Sequence, residues 1–388
     1  MNNKLARNTQ LFGAVIIGLG SILGTGAYVS VGLTAAIAGD LLIWAIVIAA
    51  FTALCNGLSS AQLASAHPVS GGTYEYGYQY LNRPCGVAAG VLFIVAKSAS
   101  AATAALVIAD YLASVMGLGD TAEAITSITL LLFFTVFVLA GLRRTNWLNG
   151  LLVCISLLGL LVFVMVAFQA EPSGELLHRE GSLSLFHGAA LMFVAFTGYG
   201  RIATMGEEIA HPRKNIPRAV WLTLIVVSII YILVGMAIVH IWQYKLLLTS
   251  DFNIANLVNH SPWRWVVVGG GVVAMGGVIL NLVLGVSRVY LAMGRRGDLP
   301  ASLATLDKDN KAAPMATWAT FFTMALIVLL GGIESTWTLS AFTVLIYYSI
   351  TNVAALKVSQ AQRFIPRWVS VLGLLSCVSL VVLAVLAQ

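Results

Sequence analysis

The chain has 388 residues, 59% of them hydrophobic and 9% charged, with a mean hydropathy of +0.93 and a formal net charge of +6. Water-soluble proteins carry about 25% charged residues, so this composition excludes a soluble domain and predicts a polytopic membrane protein. Cys55, Cys154 and Cys377 fall in apolar runs and Cys85 near a loop, a spacing that suggests neither a disulfide framework nor a metal site.

A membrane span needs about 20 apolar residues. In chain order the sequence predicts eleven: 11–36, 40–66, 86–115, 123–141, 147–169, 184–208, 218–241, 263–293, 314–331, 336–357 and 368–387. Residues 1–10 are short and polar, and the run after them is too long for a signal core, so no cleavable signal is expected. Spans three and eight are long enough to require tilt. Placing the N-terminus in the cytoplasm puts most of the basic residues on that side, including Lys4, Arg7, Arg83, Arg143, Arg144, Arg295, Arg296 and Arg363, and leaves Arg179, Lys245 and Arg264 outside. That asymmetry sets the expected orientation. It also accounts for the net charge without nucleic acid.

Two spans are interrupted. Gly24-Thr25-Gly26 breaks span one, and Thr197-Gly198-Tyr199-Gly200 breaks span six. Glycine in a helix interior costs about 1 kcal/mol relative to alanine, and backbone freed from a helix must line a cavity or be buried in protein. Matched interruptions in two halves of a chain point to the substrate site of a secondary transporter. Five spans separate the breaks, so the halves have opposite topology. The expected organisation is one transmembrane domain over 1–388, with an inverted repeat of about 11–169 and 184–357 and an extra helix at about 368–387.

Four stretches carry a family resemblance: GLGSILGTGAY at 18–28, HPVSGGTYEY at 67–76, FTGY at 196–199 followed by EEIAHPRKNIPR at 207–218, and SRVYLAMGRRGDLP at 287–300. Together and in this order they resemble the amino acid–polyamine–organocation (APC) superfamily of amino acid transporters. The resemblance implies a LeuT-type fold: all-α, 5+5 inverted repeat, discontinuous helices one and six, about eleven transmembrane helices. It also implies that spans one, two, six and seven rock against a scaffold. The chain departs from the family pattern in three places. The span-five lysine of many members is absent from Val153-Cys154-Ile155-Ser156. The paired span-eight hydroxyls of sodium-coupled relatives are absent from Gly277-Val278-Ile279-Leu280-Asn281. Gly200 stands where an acidic residue is common.

Site residues follow from the chemistry of broken helices. Free amides at half-helix N-termini suit a carboxylate, so Gly24, Thr25 and Gly26 are assigned to the substrate carboxylate. Unwound carbonyls suit an ammonium, so Ile22, Phe193 and Thr197 are assigned to it. Gly198, Gly200 and Asn281 complete the expected pocket, with Ala101 and Ala102 as small lining residues. Tyr28, Phe196 and Tyr199 are aromatic covers, with simple packing as the alternative. Lys97 lies about eleven residues into span three, and an intramembrane lysine faces a cavity or a partner. It is read as a proton carrier or a fixed positive charge, against the alternative of snorkelling to the interface. Arg201 follows the second break and either binds an anionic group or holds free carbonyls. Glu207 and Glu208 are read as inner-gate residues pairing with Arg288 or Arg83, or as a solvated rim, and Glu75 as a further gate residue. Asp110 and Asn352 are other polar residues within spans, and His240 and His260 are bystanders.

The sequence therefore predicts a plasma (inner) membrane amino acid transporter of the alternating-access type, not an enzyme, without cofactor or metal. Its expected partners are a small-molecule amino acid, the lipid bilayer and, as one coupling option, protons. The expected substrate is neutral and the coupling is to protons or exchange rather than sodium. The alternatives are an anionic amino acid or amine transporter or exporter, and a non-transporting sensor of the same fold.

Overall fold

The computed structural model describes residues 9–68, 71–116, 120–140, 146–170, 182–204, 209–241, 254–258, 261–307 and 313–387. Among them the chain is all-α. Helix α1 (Leu11–Ile22) ends at the first break, a π-helical turn follows at Gly26–Ser30, and α2 (Val31–Ala38) resumes the path. A 3-10 turn at Gly39–Leu41 leads into α3 (Leu42–Ala66). A short polar helix α4 (Thr73–Tyr80) precedes α5 (Arg83–Met116), α6 (Asp120–Leu139) and α7 (Asn146–Gln169). The second break is a 3-10 turn at Thr197–Tyr199 between α8 (Ser182–Phe196) and α9 (Gly200–Thr204). The remaining long helices are α10 (Pro212–Ile241), α11 (Arg264–Arg296), α12 (Pro314–Leu330), α13 (Ile333–Leu356) and α14 (Arg367–Leu386).

Among the described residues, nine stretches are long and apolar enough to cross a bilayer. The first, Leu11–Ala66, runs for 56 residues through the break and both turns, and α12 is apolar but shorter, at 17 residues. Large apolar side chains such as Phe133, Leu161, Ile229, Phe322 and Val382 are exposed on the outer faces of α6, α7, α10, α12 and α14, as a lipid-facing surface requires. α5 is mostly buried, whereas α6 shows most of its surface outward.

Packing sorts the helices into two groups. α3 lies against α10 and α8, and α1 against α10. α5 lies against α13 and α11, and α11 against α7. Hydroxyl pairs stitch the second group, Ser100 to Ser340 at 2.8 Å and Thr103 to Thr336 at 2.8 Å. A second polar seam joins α3 to the last two helices. Asn352 donates to Asn56 Oδ1 at 2.5 Å, Asn56 donates to Cys377 Sγ at 3.2 Å, and Ser59 meets Ser370 at 3.0 Å. Gln62 donates to the Gln362 carbonyl at 2.9 Å and accepts from the Phe364 amide at 2.7 Å. Such groups are costly in hydrocarbon unless paired, and here each side chain finds a protein partner, with Asn352 Oδ1 the one seam atom left without one.

Candidate substrate cavity

The two breaks meet. A Cβ on Gly198 would stand 2.5 Å from the Ser21 carbonyl oxygen and 2.5 Å from Ile22 Cγ1, so only glycine lets the second break rest on the end of α1. Gly26 makes the same allowance for Tyr231 of α10, whose hydroxyl occupies the place a Cβ would take.

Beside this junction lies a cavity of about 690 Å³, within the range of small-molecule sites. Ile22, Thr25, Thr197, Gly198, Gly200 and Asn281 line it, as do Lys97 and Arg201. One stripe of α11 (Asn281, Gly285, Arg288, Ala292 and Arg295, three or four residues apart) forms a wall from the depth of the breaks to the end bearing Glu75 and Arg296. Lys97 Nζ donates to Thr197 Oγ1 at 2.8 Å, and that hydroxyl gives its own proton to the Val194 carbonyl at 2.7 Å. Lys97 thus joins α5 to the second break across the cavity.

Several residues expected in the pocket lie elsewhere. Gly24, Gly26, Phe193, Phe196, Tyr199 and Tyr28 are not among the lining residues. The Tyr28 hydroxyl donates to the Ser156 carbonyl at 2.8 Å, and its ring packs against Gly271. Phe193 packs edge-on against Tyr348 at 5.7 Å between ring centroids, and Phe196 against Tyr231 at 5.0 Å. Tyr199 is buried with its ring 5.4 Å from Tyr348. Ala101 and Ala102 are buried away from the cavity, and Ser100 lines it instead. Of the three carbonyls assigned to an ammonium, Ile22 already accepts from Tyr231 at 3.0 Å and Thr197 from Tyr348 at 3.4 Å. Asn352 serves the seam to α3, not the cavity.

The aromatic lining residues missed in the sequence lie mainly on α13: Trp337, Tyr347 and Tyr348, with Phe93 of α5 facing Tyr347 at 5.6 Å. Trp337 donates to the Leu191 carbonyl of α8 at 3.1 Å. Their helical spacing within an otherwise apolar span was the available signal.

At the charged end two ion pairs are formed among the described residues. Glu75 pairs with Arg296 at 2.6 Å, and the Arg296 guanidinium lies 4.1 Å from the Tyr78 ring centroid. Arg83 pairs with Asp298 at 3.0 Å. Glu207 and Glu208 lie outside the described residues. Asp298, with a side chain only 1% exposed, also accepts from Tyr78 and, at 2.7 Å, from Tyr74. These contacts fix α4 between the start of α5 and the end of α11.

Burial opposes ionisation of Asp298, but hydrogen bonds from Tyr78, Tyr74 and Arg83 and the Arg83 charge outweigh it and hold the carboxyl below its ordinary value. A depressed carboxyl pKa stabilises the fold above the unfolded value of about 3.9, and the contribution is lost as pH falls through the folded value. Asp298→Ala is therefore expected to lower the thermal midpoint in detergent by several degrees at pH 7. The gap to the parent protein should close below about pH 4. A pH-independent gap would show that packing, not the charge, is what the substitution removes.

An all-α bundle with two broken helices meeting beside a cavity lined by apolar and charged side chains defines a polytopic membrane protein of the transporter class. The model for the family described as amino acid permease matches residues 10–388, and the chain belongs to that family, within the APC superfamily and with its LeuT-like polytopic fold and discontinuous first helix. The chain is 34% identical to an uncharacterised transporter of Mycobacterium tuberculosis, over 97% of this chain and 86% of that one. It is 26% identical to a branched-chain amino acid permease of Bacillus subtilis, over 94% and 83% of the two chains, and 25% identical to a methylthioribose transporter of Bacillus subtilis, over 89% and 80%. It is accordingly a secondary-active amino acid transporter of the superfamily, not an enzyme.

Proposed function

We propose that this permease carries a neutral amino acid across the inner (plasma) membrane by alternating access, coupled to protons or exchange rather than to sodium. The observation that supports this reading best is the cavity at the junction of the two breaks, where Lys97 bonds Thr197. Glu75 is the one acidic residue on its wall among the described residues, and it is paired with Arg296. Among the described residues no wall carboxylate is thus left to receive a cationic side chain. The relatives named for branched-chain amino acids and for methylthioribose support an uncharged cargo. Lys97 is the proposed coupling charge, standing in for the missing span-five lysine. The absence of a hydroxyl from 277–281 argues against sodium.

In this reading the 56-residue stretch makes two passes, divided at the 3-10 turn, and α12 is a further pass. That gives eleven spans in a 5+5 inverted repeat plus α14, within a single domain and with a cytoplasmic N-terminus. Spans one, two, six and seven are α1 with α2, α3, α8 with α9, and α10. They move against α5, α11 and α13, a division that the packing of α3 on α10 and of α5 on α13 supports. Thr25, with Gly24 and Gly26 behind it, presents the amides for the carboxylate.

A second reading, an anionic substrate, is favoured by the charge of the wall: Lys97, Arg201, Arg288, Arg295 and Arg296 against Glu75. A thermal-shift screen of the purified protein against the amino acids, at two pH values and with and without sodium, separates the two. Ligand at 100 times its dissociation constant stabilises by about 2.7 kcal/mol. The expected result is a shift with neutral amino acids that depends on pH and not on sodium. A shift confined to glutamate and aspartate would select the anionic reading, and a sodium requirement would overturn the coupling assignment.

A further inference from the structure

The two breaks are joined by a third helix. Ile22 is the last residue of α1 and Ala195 the last but one of α8. Both carbonyls fall among the four at a helix C-terminus that lack an intrahelical donor. Tyr231, from the middle of α10, places one hydroxyl 3.0 Å from the Ile22 oxygen and 3.0 Å from the Ala195 oxygen. That hydroxyl sits in the space left by Gly26, and its ring packs edge-on against Phe196. Tyr231 is fully buried. One side chain thus reaches the C-terminal ends of both broken helices, its single hydroxyl proton shared between the two carbonyls.

We infer that Tyr231 is a positioning residue that locks the two breaks into one unit, so that the surfaces they present to the substrate keep a fixed spacing as the bundle moves. The inference rests on the breaks forming the substrate site. It adds that their mutual geometry is set by α10 and not only by contact between them. Without the hydroxyl, each helix end has a buried carbonyl with no partner, and the segments have no common anchor. Gly26 then has a role besides offering an amide, since any Cβ there would expel the anchor.

The test is Tyr231→Phe, which removes the oxygen and keeps the ring. Hydrogen–deuterium exchange is read on the purified full chain in detergent over the segments 20–28 and 194–201, with the rest of α10 as the control for folding. Exchange in both segments is expected to rise about tenfold together, with the rest of α10 unchanged. A rise in one segment alone, or in neither, would overturn the lock. If Tyr231→Phe unfolds, Gly26→Ala gives a second route to expelling the hydroxyl and should loosen the same two segments.

The second arm is binding of radiolabelled leucine. Where the parent protein binds it, Tyr231→Phe is expected to raise the dissociation constant about tenfold. Unchanged affinity despite loosened segments would overturn the positioning role and leave a merely structural one. If the parent protein does not bind leucine, the neutral-substrate reading fails on that probe, and the exchange arm still decides the lock.

Discussion

Lys97→Ala is expected to lower transport at least tenfold and to flatten its pH profile, while Lys97→Gln recovers affinity without recovering the pH dependence. The ammonium donates to Thr197 Oγ1 at 2.8 Å, and the Thr197 proton is committed to the Val194 carbonyl, so this oxygen is held as an acceptor for Lys97. A hydrogen bond with a charged donor contributes about 1.5–3 kcal/mol, and 1.4 kcal/mol is a factor of ten. Alanine removes the link between α5 and the second break together with the titratable group. Glutamine keeps a donor of nearly the same reach and cannot titrate. Uptake into proteoliposomes between pH 5.5 and 8, set against purified yield, separates the two effects. An alanine variant with the parental pH profile would remove Lys97 from coupling.

Gly198→Ala is expected to abolish measurable transport while the protein still inserts and purifies. The added methyl group would stand 2.5 Å from the Ser21 carbonyl oxygen. That atom belongs to the backbone of α1, so relief requires the breaks to part. An exposed substitution away from the cavity such as Lys214→Ala, which leaves the junction alone, is expected to keep a substantial part of the activity. Initial uptake rate against expression level measures both. A Gly198→Ala protein with near-normal rates would show that close approach of the breaks is dispensable to the cycle.

Both interruptions were legible because glycine in an apolar helix has a local cost, and Lys97 because charge in hydrocarbon does. Span limits were nearly as plain. An exception is α10, expected from Arg218 but beginning at Pro212, since proline is tolerated at the first helical position. The direction in which side chains point was harder to read. Tyr28 lies within a π-helical turn, which departs from the regular 100° step, and faces Ser156 and Gly271, whereas Phe193 and Phe196 lie in regular helix before the second break and pack on Tyr348 and Tyr231. Pairing was harder still. Arg288 and Arg296 are eight residues apart, about 80° round the helix, and only the packed position of α4 decides which of them meets Glu75. Tyr231 gave no local signal, because its meaning lies in two carbonyls that precede it by 209 and 36 residues in the sequence.

The seam between α3 and the last helices carries a consequence for biogenesis. Asn56, Ser59 and Gln62 leave the ribosome well before their partners, since Asn352, Ser370 and Gln362 follow 296, 311 and 300 residues later. At about 5–20 residues per second, the early segment waits roughly 15–60 s before those groups exist. During that interval its amides must be sheltered by water, by the insertion machinery or by one another. α14 therefore completes this seam, and a nascent chain stalled before it would hold α3 with that polar face unsatisfied, a form that quality control can distinguish from one with the seam closed.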